Sequence, residues 1–320
     1  MTRLVEGLLA AWRRPDIAIF HHFQTGPFGG SNQFLVALRD EMKRRKIRVA
    51  ENLIGPETRA ALLNAYVFDA DRLRRMRHDG CRIVHRVDGP VGRYRGESDD
   101  IDRTIFSLNR EFAAATIFQS QYSIAATEEL GLRFTSPEVI PNAVDPAIFN
   151  PVGRTAWNRD RKTRLVSTSW SDNAGKGAAT YKWIEDHLDW NRFEYTFIGR
   201  SPLRFDRIRS LPPLPPRELA DELRAHDIYV TASQHDPCSN ALLEALACDL
   251  PALALRSGGH PELVAEGGAL FDGTDDVLHK LGELVTNFET KRALIRVSSL
   301  AEVVDRYLSV LLPAPIGGDL

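Results

Sequence analysis

Cysteine is scarce in this chain: Cys81, Cys238 and Cys248 are the three in 320 residues, and none forms a Cys-x-x-Cys pair or stands beside histidines at zinc-ligand spacing. That argues against a disulfide framework and a structural zinc site, and a reduced, cytoplasmic setting is expected. An excess of one charge is also lacking. The 41 Lys and Arg against 43 Asp and Glu leave a net charge of -2, so there is no broad basic field to drive non-specific nucleic-acid binding, and no nucleic-acid partner is expected. Long hydrophobic runs are missing too, since none approaches the roughly 18 residues of a membrane span. Residues 4–12 are too short for a secretory apolar region and run into Arg13-Arg14-Pro15. With Leu4, Leu8, Leu9 and Trp12 on one side, residues 1–14 read as a small amphipathic helix that either packs on the protein or touches a membrane peripherally.

What is there suits a large folded chain. A hydrophobic content of 43% over 320 residues exceeds the needs of one compact core, so two domains of about 150 residues each are expected. Short β-type runs alternate with helical patterns, which predicts an α/β chain with parallel sheets wrapped by helices. In the first half, strands are predicted at 17–20, 66–68, 82–87, 116–119 and 138–140, with a helix at 32–45 carrying Phe34, Leu35, Leu38 and Met42 at helical spacing. A break at Pro141-Asn142-Ala143-Val144-Asp145-Pro146 and the polar stretch 150–162 place the boundary near residue 150. The second half predicts strands at 164–169, 194–198, 228–232, 251–255 and 269–271, and helices at 177–188, 216–225 and 239–247. A terminal helical pattern covers 290–312. Domains at 1–150 and 151–295 follow, both of doubly wound type, with the segment 296–320 crossing back to the first.

The residues richest in chemistry are Gln234-His235-Asp236-Pro237-Cys238-Ser239-Asn240-Ala241-Leu242-Leu243-Glu244, directly after a predicted strand. Asp236 and Glu244 flank a helix start. Were the stretch all helix, eight residues would separate them by about 12 Å, too far for a shared proton but suited to two ends of one ligand. Ser239 or Asn240 is a credible N-cap, and the free amides of the first turn form an anion site of the kind that binds diphosphates. The plainer explanation is that Asp236 and Ser239 cap the helix and Glu244 is solvated.

These residues resemble the retaining glycosyltransferases of family 4, a GT-B group in which an acid, seven residues and a glutamate precede a helix and a second strand. The likeness continues through Leu243-Glu244-Ala245-Leu246-Ala247-Cys248-Asp249-Leu250-Pro251 into Ser257-Gly258-Gly259-His260-Pro261-Glu262, similar to the family's second glycine turn. Ile140-Pro141-Asn142-Ala143-Val144-Asp145 with Phe149 looks like the interdomain segment, Lys176-Gly177 like the lysine-glycine pair, and Gly26-Pro27-Phe28-Gly29-Gly30-Ser31 like the N-terminal glycine loop. The resemblance implies a GT-B fold, two Rossmann-like doubly wound domains facing a cleft. It also implies transfer of a sugar, with retention, from a UDP- or GDP-sugar to a glycan or lipid-linked acceptor, without a metal or other cofactor. Asp236 would then bind donor-sugar hydroxyls, Glu244 the ribose and Lys176 the diphosphate. Gly29, Gly30, Ser239, Asn240, Ala241 and Leu243 complete the donor set. In His85-Arg86-Val87-Asp88-Gly89-Pro90 the resemblance points to Asp88, then His85, as positioning the reacting sugar or acceptor hydroxyl.

Two departures stand out. Asp236 replaces the family's first glutamate, and Ser171 stands where an arginine is expected five residues before Lys176. Arg200, after a predicted strand, is the candidate replacement cation. A rival reading takes Asp69 and Asp71 as a metal-binding acid pair, although an N-cap at Asp69 explains the same residues. Fold alone does not separate a transferase from an epimerase or hydrolase built the same way, or from a degenerate scaffold that binds a nucleotide-sugar without turnover.

Overall fold

The computed structural model of the chain describes residues 14–24 and 30–314. Gly29 and residues 1–13 of the amphipathic segment lie outside the described residues. The chain forms two compact units. The first takes the chain up to Gly92, then Ser98–Pro141 and the chain from Leu300 onward, and the second takes Arg93–Glu97 and Asn142–Ser299.

The first unit is built on β1 (Ile17–Phe20), α1 (Gly30–Arg44), β2 (Val49–Glu51), β3 (Ala60–Asn64), α2 (Ala70–Met76), β4 (Arg82–Arg86), the short α3 (Val91–Arg95) that leads out of it, α4 (Asp100–Phe112), β5 (Ala115–Phe118), α5 (Gln121–Glu129) and β6 (Pro137–Val139). Its sheet is parallel, in the order β2-β1-β3-β4-β5-β6. Every residue of β1 and β3 is buried, because helices cover both faces of such a sheet. Ala18, Phe20, Ala61, Leu63 and Ile83 share one apolar cluster with Leu73 and Phe112, while the alternate residues face the other way.

The predicted strand at 66–68 is displaced. The strand is Ala60–Asn64, and the chain turns at Ala65, whose φ is 45°. The run Ala-Ala-Leu-Leu-Asn has no period-two pattern, since both of its faces are buried.

The second unit runs β7 (Thr163–Ser169), α6 (Ala178–His187), β8 (Phe193–Gly199), β9 (Arg209–Leu211), α7 (Pro216–Ala225), β10 (Ile228–Thr231), α8 (Asn240–Ala247), β11 (Ala252–Leu255), α9 (His260–Val264), β12 (Gly268–Phe271), α10 (Thr274–Thr286) and α11 (Phe288–Ala293). The sheet order β12-β11-β10-β7-β8-β9, all parallel, is that of a doubly wound dinucleotide-type fold. Leu165, Ile228, Val230 and Leu253 enter the core on one face. Val166, Tyr229, Ala252 and Ala254 enter the core on the other.

The helical pattern over 290–312 is interrupted. After α11 the chain is non-helical from 294 to 299, and α12 (Leu300–Leu311) begins there. That last helix belongs to the first unit. Tyr307 packs on Phe34 of α1 with ring centroids 5.7 Å apart, Arg45 pairs with Asp305, and Arg82 donates to the Val310 carbonyl at 3.0 Å.

Candidate functional site

In an open doubly wound sheet, ligands bind beyond the carboxyl ends of the strands where the strand order reverses. In the second unit that point lies between β7 and β10, and the loops leaving these strands carry Lys176 and Asp236.

The β7 loop is fixed by its own side chains. Ser169 Oγ donates to the Ser171 carbonyl (2.7 Å), Ser171 Oγ accepts from the Asn173 amide (3.1 Å), and Asn173 Oδ1 accepts from the Gly175 amide (2.8 Å). A single 3-10 turn, Ala174–Lys176, follows and ends on Gly177 at φ 86°. A Cβ on Gly177 would lie 2.5 Å from the Ala232 carbonyl oxygen, so only glycine lets this turn close against the end of β10. Lys176 Nζ then reaches Asp236 Oδ2 at 2.9 Å and Ser233 Oγ at 3.2 Å.

The loop after β10 is held from both sides. The Gln234 amide donates to the Gly175 carbonyl (2.7 Å), the His235 amide to Ser257 Oγ (2.9 Å), and the Gly259 amide to the Asp236 carbonyl (2.9 Å). Gly258 sits at φ 61°, and a Cβ there would fall 2.3 Å from that same carbonyl oxygen. Burial would raise the Asp236 carboxyl, but the charge of Lys176, the neighbouring His260, the Lys176 hydrogen bond and the Cys238 amide outweigh it and hold the group below its ordinary range.

Helix α8 starts beside this loop. Ser239 is its N-cap, accepting from the Leu242 amide at 3.3 Å. The earlier amides of the turn, Asn240 and Ala241, lie outside the helix's own ladder, the arrangement that favours an anion. Asn240 Oδ1 accepts from Asn142 Nδ2 at 3.0 Å, which anchors the first turn. Leu243 is packed in the interior.

Glu244, one turn on, is 9% exposed, and burial alone pushes its carboxyl up to about 8. The plainer explanation, in which Glu244 is solvated, does not hold: the side chain is desolvated, with no compensating cation among the described residues. Arg200 follows β8 and is exposed, its amide bound to the Ser169 carbonyl at 2.8 Å. Gly199 brings the two strand ends together, since a Cβ there would lie 1.8 Å from the Ser169 oxygen.

The first unit treats its candidates differently. His85 is fully buried, with Nε2 at 2.7 Å from the Ala65 carbonyl and Nδ1 at 3.3 Å from Asn109 Nδ2, and burial pushes its ring down to about 4. This corrects the expectation that His85 positions a reacting group. Both ring nitrogens are engaged in the core between β3 and α4, and neither is presented to a ligand. Asp88 is partly exposed. It accepts from Arg86 Nη1 (2.5 Å) and Ser31 Oγ (3.3 Å), while Arg86, fully buried, also donates to Asn64 Oδ1 (2.8 Å). Gly30 opens α1 next to Ser31. Asp69 caps α2 by accepting from the Arg72 amide (2.9 Å), and Asp71 pairs with Arg74 (2.6 Å), so both acids of the rival metal pair have helix-end duties.

Sequence reasoning did not single out Ser233, Asn142 or His260 as site residues. His260 stands in the second glycine turn, where a histidine directly after Gly-Gly was the signal that could have found it.

Comparisons with known proteins bear on the sequence family and on the fold. Residues 190–287 match the family model for glycosyl transferases group 1. A D-inositol 3-phosphate glycosyltransferase of Corynebacterium jeikeium is 40% identical over 91 residues, which is 27% of this chain and 22% of that protein. The chain thus spans about a fifth of the length of such relatives. Sucrose-phosphate synthase of Thermosynechococcus elongatus superposes with a TM-score of 0.68 at 16% identity, covering 93% of this chain and 95% of that one. HepE of Anabaena, in complex with UDP-glucose, gives a TM-score of 0.63 at 14% identity over 92% of this chain and 95% of that one. The chain is a GT-B fold protein that resembles the family 4, or group 1, glycosyltransferases, with the family's own segment lying in its second unit.

Proposed function

We propose that the chain is a metal-independent, retaining glycosyltransferase that moves a sugar from a UDP- or GDP-sugar to a glycan or lipid-linked acceptor in the cytoplasm, with peripheral membrane contact through residues 1–14. The observation that carries this reading is the meeting, at the reversal point of the second sheet, of Lys176 and Asp236 at 2.9 Å beside the start of α8, with the desolvated Glu244 on that helix.

An arriving diphosphate offers Lys176 a second anionic partner and takes the first-turn amides of α8. Hydroxyls of the ribose supply hydrogen bonds to the Glu244 carboxyl, whose pKa no neighbouring charge or hydrogen bond offsets against burial. As the bond from the anomeric carbon to the diphosphate oxygen breaks and the acceptor oxygen bonds to the same face, charge grows on the leaving diphosphate, where the ammonium and the amides stabilise it. The acceptor's proton leaves with that group. Asp236 orients the transferred sugar, and Asp88 in the first unit is the proposed acceptor-side acid. The acceptor class rests on the family likeness.

The test is a calorimetric panel of UDP-, GDP-, ADP- and dTDP-sugars with their free nucleotides, in EDTA and again with manganese. Selective binding in EDTA that Glu244→Gln weakens supports the reading, and binding only with manganese overturns metal independence. Product analysis with and without acceptor separates a transferase from an epimerase or hydrolase, and NMR of the product's anomeric configuration decides retention.

A further inference from the structure

We infer that His260 recognises the sugar end of the donor: its Nε2 accepts a hydrogen bond from a sugar hydroxyl beside Asp236. The inference rests on the nucleotide-sugar reading of the same site and adds to it a residue that the motif does not assign.

Three observations carry it. The His260 ring is fully buried, and its Nδ1 lies 2.9 Å from the Leu255 carbonyl oxygen. A carbonyl only accepts, so Nδ1 carries a proton, and burial holds the ring below its ordinary range, so it is neutral and Nε2 presents a lone pair. That Nε2 is buried and meets no hydrogen-bond partner among the described residues. Buried polar atoms are nearly always paired, so a lone acceptor at this depth marks a place where a donor is brought in. Finally, His260 directly follows the glycine pair that docks on Asp236, with the Gly259 amide 2.9 Å from the Asp236 carbonyl, and the charges acting on the ring are those of Asp236 and Lys176.

The chemistry selects the ligand. The Asp236 carboxylate and the His260 Nε2 are both acceptors, and two acceptors repel a diphosphate but match hydroxyl donors. The anionic part of the ligand is served by Lys176 and the first amides of α8. Hydroxyls therefore belong on the Asp236 and His260 side and phosphate on the Lys176 side, which orients the donor within the second unit.

Calorimetry on wild type, His260→Phe and His260→Gln tests this with UDP-glucose, GDP-mannose and ADP-glucose, each against its free nucleoside diphosphate. The expected result is an affinity for the nucleotide-sugar about tenfold weaker in His260→Phe, partly restored in His260→Gln, whose amide oxygen still accepts, with unchanged affinity for the free diphosphate. Loss on both ligands alike, or on neither, overturns the inference while leaving the donor reading intact. A wild-type protein that binds none of the three overturns both. In wild type labelled with ¹⁵N-histidine, the His260 Nε2 resonance is expected to move with the nucleotide-sugar and not with the diphosphate alone. A resonance that stays still sinks the proposal without any variant having to fold.

Discussion

His85 in the first unit and Glu244 and His260 in the second are all titratable groups buried near the carboxyl ends of strands, but only His85 is satisfied by its own protein. Its ring is engaged at both nitrogens, and beside it Arg86 is shared between Asn64 and Asp88. In the second unit, Glu244 is desolvated with burial as the single cause of its raised pKa, and His260 leaves Nε2 bare. A saturated polar network fixes a core, whereas an unsaturated one is a binding site waiting for its complement. The contrast assigns structure to His85 and leaves Glu244 as the candidate for the proposed recognition, although the sequence motifs treated both as site residues.

The largest test of that contrast is Glu244→Gln. The folded carboxyl titrates near 8 against an ordinary 4.5, so between those values the folded state holds a proton that the unfolded state has released. Stability of the ligand-free protein then falls as pH rises through this window, by on the order of 5 kcal/mol. Denaturation at pH 5.5 and 8.5 is expected to show that slope in wild type and not in Glu244→Gln, which also binds nucleotide more weakly. An unchanged slope in the variant would place the titrating group elsewhere.

His85 has the opposite sign. Its ring titrates near 4 when folded against an ordinary 6.5, so the stability it carries is complete above 6.5 and is lost as pH falls toward 4, by on the order of 3 kcal/mol. His85→Leu is expected to flatten this acid limb and to lower stability at neutral pH by about 2 kcal/mol through the orphaned Ala65 carbonyl and Asn109 amide, without changing nucleotide affinity in the folded protein. A specific loss of turnover in a stable His85→Leu would break the comparison.

Asp236→Asn lies between binding and chemistry. Its charge holds Lys176, and its removal is expected to lower kcat about tenfold or more while nucleotide Kd shifts less, since Lys176 is freed for the diphosphate. Equal effects on both would make Asp236 a plain binding group. The smallest effect belongs to Ser239→Ala, expected to cost about 1 kcal/mol through the lost cap, measured by chemical denaturation.

Much of this was legible in the sequence. Strands such as β7, β8 and β10 are β-branched or aromatic runs between turn signals, and the motifs around Lys176, Asp236 and Ser239 carried their spacing into the loops at the sheet's reversal point. β3 was missed because an alanine- and leucine-rich strand buried on both faces has no alternation, and the split between α11 and α12 because nothing in 294–299 breaks a helix outright. The character of the buried groups was illegible for a different reason. Whether a histidine finds Ala65 and Asn109, as His85 does, or one carbonyl and nothing else, as His260 does, depends on how the surrounding chain packs around it.

The return of α12 to the first unit bears on how the protein is made. Phe34, Arg45 and Arg82 wait for Tyr307, Asp305 and Val310, which are synthesised only after the segment Asn142–Ser299 of the second unit. The second unit has its whole sheet in hand by Phe271, while the first, whose strands precede it in the chain, lacks its partner for α1 until α12 has been made. The unit whose strands come first in the sequence is therefore the unit whose packing is completed after the other's.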